Sequence, residues 1–93
     1  MKIQVKKFGT ILSSRPAGRE AALVMKSTLR PGPREKVELD FSGVLAVGPS
    51  WLDEVLTSLQ NDFGKKRVIC LPTENLSVIE SLKIIDATHR PSP

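Results

Sequence analysis

Short apolar runs alternate along this chain with segments whose apolar residues recur every three or four positions. Residues 2–6 alternate apolar and polar side chains, which is the period of a strand with one buried face. A second short strand over 10–12 is expected to pair with the first through a turn near Gly9. Two further apolar runs, at 37–41 and 67–71, predict strands of the central sheet.

The first helix is predicted to begin after Ser13 or Ser14, since serine is a favoured N-cap, and to run to Leu29. Pro16 suits its first turn, where a missing N–H matters little, whereas Gly18 is expected to weaken it. One face of this helix is apolar and is predicted to be buried; it comprises Ala21, Ala22, Met25 and Leu29.

The second helix has the clearest pattern. Its apolar face comprises Leu52, Val55, Leu56, Leu59 and Phe63. Ser50 stands at the predicted N-cap position, and Asp53, three residues later, completes a carboxylate version of the capping box. Gly64 is predicted to end the helix as its C-cap.

The last helix is predicted to open at Asn75 or Ser77. Ser77 and Glu80 have the spacing of a capping box. Its predicted buried stripe comprises Val78, Leu82 and Ile85.

Strands and helices alternate in the order β(β)αβαβα. This order predicts a small α/β domain with a mostly parallel sheet of three or four strands and three helices. The domain is expected to span residues 1–90 and to be followed by a frayed tail at 91–93. A chain of 93 residues leaves little room for a second core.

The net charge of +4 is unevenly distributed. Residues 1–36 carry nine Lys or Arg against two acids, hence +7, whereas residues 37–93 carry five against eight, hence −3. Nucleic-acid binding through the basic N-terminal third is therefore one alternative function, and a scattered solvated surface is another interpretation of the same charges. No apolar run reaches about 18 residues, and no signal-peptide stretch begins the chain, so a cytoplasmic protein is expected.

Cys70 and His89 are the single cysteine and the single histidine of the sequence. They cannot complete a zinc ligand set, and no phosphate-binding motif occurs, so no metal or cofactor is predicted. Cys70 lies in an apolar run, which favours a buried hydrophobe over a reactive thiol. A hydrolase with Ser50 as its nucleophile would need a base, for which His89 is poorly placed near the chain's end. We therefore expect a protein without enzymatic activity.

Two motifs carry a resemblance to a known family. Residues 39–44, Leu-Asp-Phe-Ser-Gly-Val, followed by residues 49–54, Pro-Ser-Trp-Leu-Asp-Glu, resemble the STAS-like domain family of unknown function. The pair Ser14-Arg15 ahead of Ala21-Ala22 is similar to that family's first helix. The resemblance covers about residues 8–90 and implies a STAS-like α/β fold.

The wider STAS superfamily includes the anti-anti-sigma factors. In those proteins a serine that opens the helix after the central strand is phosphorylated by an anti-sigma factor, which has a histidine-kinase-like ATPase fold. With the chains aligned on Asp40 and Val44, Ser50 takes the place of that serine. The resemblance therefore implies a regulatory, partner-switching module. This sequence departs from the pattern at Gly48, where an acidic residue is usual, and at Trp51, where a glycine is usual.

A partner-binding surface is predicted around the start of the second helix, comprising Arg15, Arg19, Ser50, Trp51 and Glu54. Arg15 and Glu54 are expected to pair, because both lie near helix starts at the carboxyl ends of strands. Trp51 lies one residue off the buried stripe. It is expected either to be partly exposed, as an interface anchor, or to pack against the neighbouring helix or loop. Ser50 is either a plain N-cap or a phosphorylation site. An exposed edge strand and Trp51 would also permit a homodimer.

Overall fold

In the part of the chain that the structure describes, the apolar runs form five short strands that alternate with three α-helices. The computed structural model describes residues 1–89, and the predicted tail at 91–93 lies outside the described residues. The elements are β1 (Lys2–Gln4), β2 (Ile11–Leu12), α1 (Arg15–Thr28), β3 (Val37–Asp40), β4 (Ala46–Val47), α2 (Pro49–Phe63), β5 (Val68–Cys70) and α3 (Leu76–His89). A 3-10 turn follows β1 at Val5–Phe8, and another precedes β5 at Lys65–Arg67.

The strands form two parallel sheets. β1, β3 and β5 make a three-stranded sheet in that order, and β2 and β4 make a two-stranded sheet. Since crossovers between parallel strands are right-handed, α1 and α2 lie on one face of the larger sheet, where they pack against each other. The predicted α/β fold with a mostly parallel sheet and three helices is confirmed. The two-residue strand β4 was not predicted, because so short a segment shows no periodicity.

β2 pairs with β4, so the predicted hairpin between the first two strands is wrong. Ile11 lies opposite Ala46 and Leu12 lies opposite Val47. The 3-10 turn after β1 ends at Gly9, which has a φ of 133°, a value that favours glycine. The chain does not fold back along β1 at this turn, because β1 pairs with β3 and β2 pairs with β4, both in parallel.

Alternation along the larger sheet separates a buried face from a polar face. The buried side chains of this sheet are Ile3, Val37, Leu39 and Val68. The side chains between them, which are half-exposed or exposed, are Lys2, Gln4, Glu38 and Asp40. Helices α1 and α2 cover the apolar face, and each aliphatic side chain buried there contributes roughly 1.5–3 kcal/mol to folding.

Helix α1 crosses α2 at Gly18. A Cβ atom at this position would lie 2.6 Å from the carbonyl oxygen of Trp51 and 3.0 Å from its Cα, so only glycine permits the crossing. Gly18 was expected to weaken α1, but its place in the fold is to let the helices meet. Trp51 is 1% exposed, so the prediction of a partly exposed indole is wrong. Its first-turn position on α2 lies directly under α1.

The start of α2 also differs from the prediction. Pro49 is the first helical residue and Gly48 is the N-cap, without a side-chain cap hydrogen bond, so Ser50 is not the N-cap. Proline suits the first helical position because its φ is already helical and it has no N–H to satisfy, and this places the helix start ahead of the serine. Asp53 therefore lies in the second turn, and the predicted capping box of Ser50 and Asp53 is not formed.

Two other predicted caps are confirmed. The Ser14 Oγ accepts a hydrogen bond from the Ala17 N–H at 3.2 Å and caps α1. Gly64 follows the last residue of α2 with a φ of 96°, and its N–H donates to the Gln60 carbonyl at 2.9 Å.

Helix α3 begins at Leu76, so Ser77 is not its cap, and of the two predicted start positions Asn75 is the correct one. The Asn75 Oδ1 accepts hydrogen bonds from the Ser77 N–H at 3.0 Å and from the Ser77 Oγ at 2.6 Å. An asparagine side chain just ahead of a helix reaches the second helical N–H, which leaves the serine hydroxyl available for another contact.

That contact is part of a clamp between α3 and β4. The Ser77 Oγ accepts a hydrogen bond from the Val47 N–H at 3.0 Å, and the Ser81 Oγ donates to the Val47 carbonyl at 2.8 Å. The Asn75 Nδ2 donates to the Val44 carbonyl at 2.9 Å. We call Asn75, Ser77 and Ser81 the β4 clamp. Its side chains bond the edge of β4 where a neighbouring strand would otherwise pair.

Replacement of Gly18 by alanine tests the helix crossing. We expect Gly18→Ala to lower the free energy of unfolding by about 1–3 kcal/mol, because the new methyl group meets backbone atoms of Trp51 that cannot move independently. Urea denaturation measures the change. Gly32→Ala is the control, since a Cβ there meets nothing within 4 Å. If Gly18→Ala leaves the free energy of unfolding unchanged, the close backbone contact between α1 and α2 at Gly18 is wrong.

Ser81→Ala tests the β4 clamp. Ser81 is 2% exposed, and its removal leaves the Val47 carbonyl without its hydroxyl donor, so we expect a loss of about 1–3 kcal/mol. Thr88→Ala, on the same helix, removes an exposed hydroxyl that bonds only its own helix and should change the stability by less than about 0.5 kcal/mol. If urea denaturation gives the same free energy of unfolding for both variants, the hydrogen bond from Ser81 to the Val47 carbonyl does not contribute to stability.

Candidate functional site

Two arginines of α1 and two carboxylates of α2 meet near the starts of these helices. The Arg15 Nη1 lies 3.1 Å from the Asp53 Oδ2 and 3.3 Å from the Glu54 Oε1. The Arg19 Nη2 lies 3.5 Å from the same Glu54 oxygen. The predicted pairing of Arg15 with Glu54 is confirmed, and Asp53 joins it. We call Arg15, Arg19, Asp53 and Glu54 the ion-pair cluster.

Helix geometry explains the cluster. Arg15 and Arg19 are four residues apart on α1 and so lie on one face, whereas Asp53 and Glu54 are adjacent on α2 and approach Arg15 from two directions. The Thr57 Oγ1 donates to the other oxygen of Asp53 at 3.4 Å. Hydrogen bonds to Asp53 and then to Glu54 raise the pKa of Arg15. Since the cluster lies at the surface, it contributes little to stability and mainly fixes the positions of its side chains.

Ser50 lies beside this cluster. A groove of about 160 Å³ near the start of α2 is lined by Arg15, Ser50 and Asp53, with Ile84 and Ile85 of α3 contributing an apolar wall. Ser50 is half-exposed in the first turn of α2, and its hydroxyl caps no helix. The structure therefore brings together four of the five predicted surface residues, namely Arg15, Arg19, Ser50 and Glu54.

The fifth residue, Trp51, does not belong to this surface. Its burial under α1 removes it as an interface anchor and as a reason to expect a homodimer. Of the two interpretations of Trp51, packing against a neighbouring element is the correct one. The buried indole packs against α1, the helix that carries Arg15 and Arg19.

Four basic residues of 1–36 bond to α2 or to the end of α1. Arg15 and Arg19 pair with α2 in the ion-pair cluster, and the Lys26 Nζ lies 3.8 Å from the Asp62 Oδ2, also on α2. Arg30 donates to two carbonyls at the end of α1. These cations join α1 to α2 or end α1, and they do not form one outward-facing basic surface.

The motif between β3 and β4 is a turn. The Asp40 Oδ1 accepts a hydrogen bond from the Ser42 N–H at 3.0 Å, and this bond is the main reason that the pKa of Asp40 is lowered. Gly43 has a φ of 85°, a conformation that glycine adopts without strain. Asp40 therefore shapes the turn that leads towards Ser50 and lies apart from the ion-pair cluster.

Cys70 is half-buried at the end of β5, and burial raises the pKa of its thiol to about 11. The thiol is therefore protonated at neutral pH. This agrees with the predicted packing role and leaves Cys70 outside the candidate site.

Sequence reasoning missed the β4 clamp, which fixes the chain just ahead of Ser50. A signal was present, because Ser81 lies three residues after Val78 and four before Ile85, on the predicted buried stripe of α3. A polar side chain at such a position needs a hydrogen-bond partner, and here the partner is the Val47 carbonyl.

Comparison with protein-family models matches residues 20–88 to the family described as the STAS-like domain of unknown function. The match spans most of the chain, and the protein belongs to this family. Comparisons with curated proteins and with solved structures give no match. The matched region begins inside α1, so it contains the motif at residues 39–54 and the pair Ala21-Ala22, but not the Ser14-Arg15 pair. A STAS-like domain indicates a regulatory domain of unknown function.

Two features are absent from residues 1–89. No helix in this part of the chain is long and apolar enough to cross a membrane. Within the same described residues, no three His, Cys, Asp or Glu side chains come close enough together to hold a metal ion. The side chain of His89, the base considered for a Ser50 hydrolase, lies outside the described part of the structure.

The thiol of Cys70 should alkylate slowly. A pKa raised from 9.0 to about 11 lowers the thiolate fraction at neutral pH by about 100-fold, so iodoacetamide should react correspondingly slowly with the folded protein and rapidly with the urea-unfolded protein. Because the unfolded thiol ionises first, stability should also fall as the pH rises from about 9 towards 11. Equal alkylation rates for folded and unfolded protein at pH 7.5 would contradict the burial.

Proposed function

We propose that this protein is a non-enzymatic regulatory module that binds a protein partner through the surface around Ser50, and that phosphorylation of Ser50 controls the binding. The surface comprises Ser50 and the ion-pair cluster. By the resemblance to anti-anti-sigma factors, the partner is a histidine-kinase-like ATPase of the anti-sigma type.

One observation carries this proposal. Ser50, the residue in the place of the regulated serine, is half-exposed and lies in one groove with Arg15 and Asp53. A serine that capped α2 would be occupied with a backbone N–H, but Gly48 is the N-cap and the hydroxyl remains available for modification. The neighbouring ion pairs give the surface a defined arrangement of charge for a partner to recognise.

The proposed phosphorylation is an ordinary phosphoryl transfer. The Ser50 Oγ attacks the γ-phosphorus of a nucleoside triphosphate held by the partner, and the new O–P bond replaces the bond to the departing nucleoside diphosphate. The hydroxyl proton passes to a base on the partner. The phosphate adds about −1.5 to −2 charges beside Asp53, which changes the surface that the partner meets.

The structure gives less support to the alternatives. Nucleic-acid binding requires a set of cations that face outward together, whereas Arg15, Arg19 and Lys26 pair with α2. A hydrolase would need a general base next to Ser50, and the groove presents an ion-paired Asp53 and an arginine there.

Partner capture tests the proposal. Wild type, Ser50→Ala and Ser50→Asp are immobilised and exposed to lysate from the native host, and retained proteins are identified by mass spectrometry. We expect an ATPase of the histidine-kinase type to bind the wild type and Ser50→Ala and to bind Ser50→Asp at least tenfold less. Asn61→Asp is the matched control, because it adds the same charge at the exposed far end of α2.

Equal capture by Ser50→Asp and the wild type would overturn the proposed control of partner binding by phosphorylation of Ser50. Loss of capture by both aspartate variants would show that binding responds to overall charge and not to the groove. Nucleic acid that is retained by every variant and released by moderate salt would instead favour the basic N-terminal third.

A further inference from the structure

Arg15 contacts the carboxylates of α2 and lines the same groove as Ser50. A single nitrogen of its guanidinium, Nη1, contacts both Asp53 and Glu54, at 3.1 Å and 3.3 Å. The same side chain lines the groove that contains Ser50. Its side chain is 46% exposed, so it has room to change partners without disturbing the core.

In the ion-pair cluster two arginines contact two carboxylates. A phosphate on Ser50 would add close to two negative charges beside them. Ser50 and Asp53 are three residues apart on α2 and therefore lie on the same side of the helix. The phosphate would repel Asp53 and would need a cation, and of the two arginines only Arg15 lines its groove.

We propose that phosphate on Ser50 takes Arg15 away from Asp53 and Glu54. This inference rests on the proposed function, because it requires Ser50 to be modified. A phosphate dianion carries twice the charge of a carboxylate and matches the planar guanidinium with two parallel hydrogen bonds. Glu54 keeps its contact with Arg19, and Asp53 keeps its contact with Thr57.

The change of partner at Arg15 would alter how α1 and α2 are joined at the surface. In the unmodified chain the first turn of α1 is tied to the second turn of α2, through Arg15 and its two carboxylates. In the phosphorylated chain Arg15 would tie the start of α1 to the start of α2, while Glu54 stays with Arg19 and Asp53 stays with Thr57. A partner would then meet a surface that carries the added charge of the phosphate and a different partner for Arg15. Arg15 is in this sense a positioning residue for the regulated surface.

The test uses chain in which phosphoserine is incorporated at position 50 during translation, so no kinase is needed. Phosphorus NMR gives the second pKa of the phosphate in the otherwise unchanged chain, in Arg15→Gln and in the matched control Arg19→Gln. We expect this pKa to be about half a unit lower with Arg15 than without it, and Arg19→Gln to have no effect, because a paired cation favours the dianion. Equal values in the three chains would overturn the exchange.

A second measurement follows the ion pair between Arg15 and Asp53, which the phosphate is expected to break. Asp53→Asn should lower the thermal midpoint of the unmodified chain by the small amount that one exposed ion pair contributes, since it removes one of the two carboxylates that contact Arg15. In the phosphorylated chain it should leave the midpoint unchanged or raise it, because there the carboxylate faces a phosphate. The same loss in both chains would show that Arg15 stays with Asp53. Both measurements are made without a partner, so they can fail while the capture experiment succeeds, and the reverse.

Discussion

The contact that the rest of the structure depends on is the backbone approach of α1 to α2 at Gly18. A side chain at this position would meet the carbonyl of Trp51 and, at 3.2 Å, the Cβ of Glu54. The crossing therefore buries the indole and at the same time sets the distance from α1 to Glu54. Arg15 lies one turn before Gly18 and reaches the second turn of α2 from there. The core and the candidate surface thus share one geometric requirement.

The surface is held from a second side by α3. The β4 clamp fixes Val47 through both of its backbone polar groups, and Ser50 follows three residues later, in the first turn of α2. Ser50 consequently lies between a strand fixed by α3 and a helix fixed by α1. A small domain with short strands gains a well-defined surface in this way, because its side chains replace the long sheet ladders that it lacks.

Periodic patterns in the sequence predicted much of this structure. The face of α2, its end at Gly64 and the cap at Ser14 follow from local spacing, and the meeting of Arg15 with Glu54 follows from the rule that the carboxyl ends of parallel strands share an edge. The burial of Trp51 depends on the missing side chain at Gly18, far away in the sequence, and no local pattern contains that information.

Two other errors have local causes. Ser50 and Pro49 are both favoured near helix starts, at positions one residue apart, and the sequence alone does not rank them. The pairing of β2 with β4 is a contact between distant two-residue segments, which leave no periodic trace. The family match supports the fold over residues 20–88, but the arginine that organises the candidate surface lies before the matched region.

The β4 clamp has a consequence for assembly. A strand at the edge of a sheet offers unpaired N–H and C=O groups to any other chain, and proteins must cover such edges to avoid association by strand addition. At Val47 both groups are already bonded to hydroxyls of α3. The side chains that dock α3 thus also close this edge to a neighbouring molecule and protect the small sheet from aggregation at that edge.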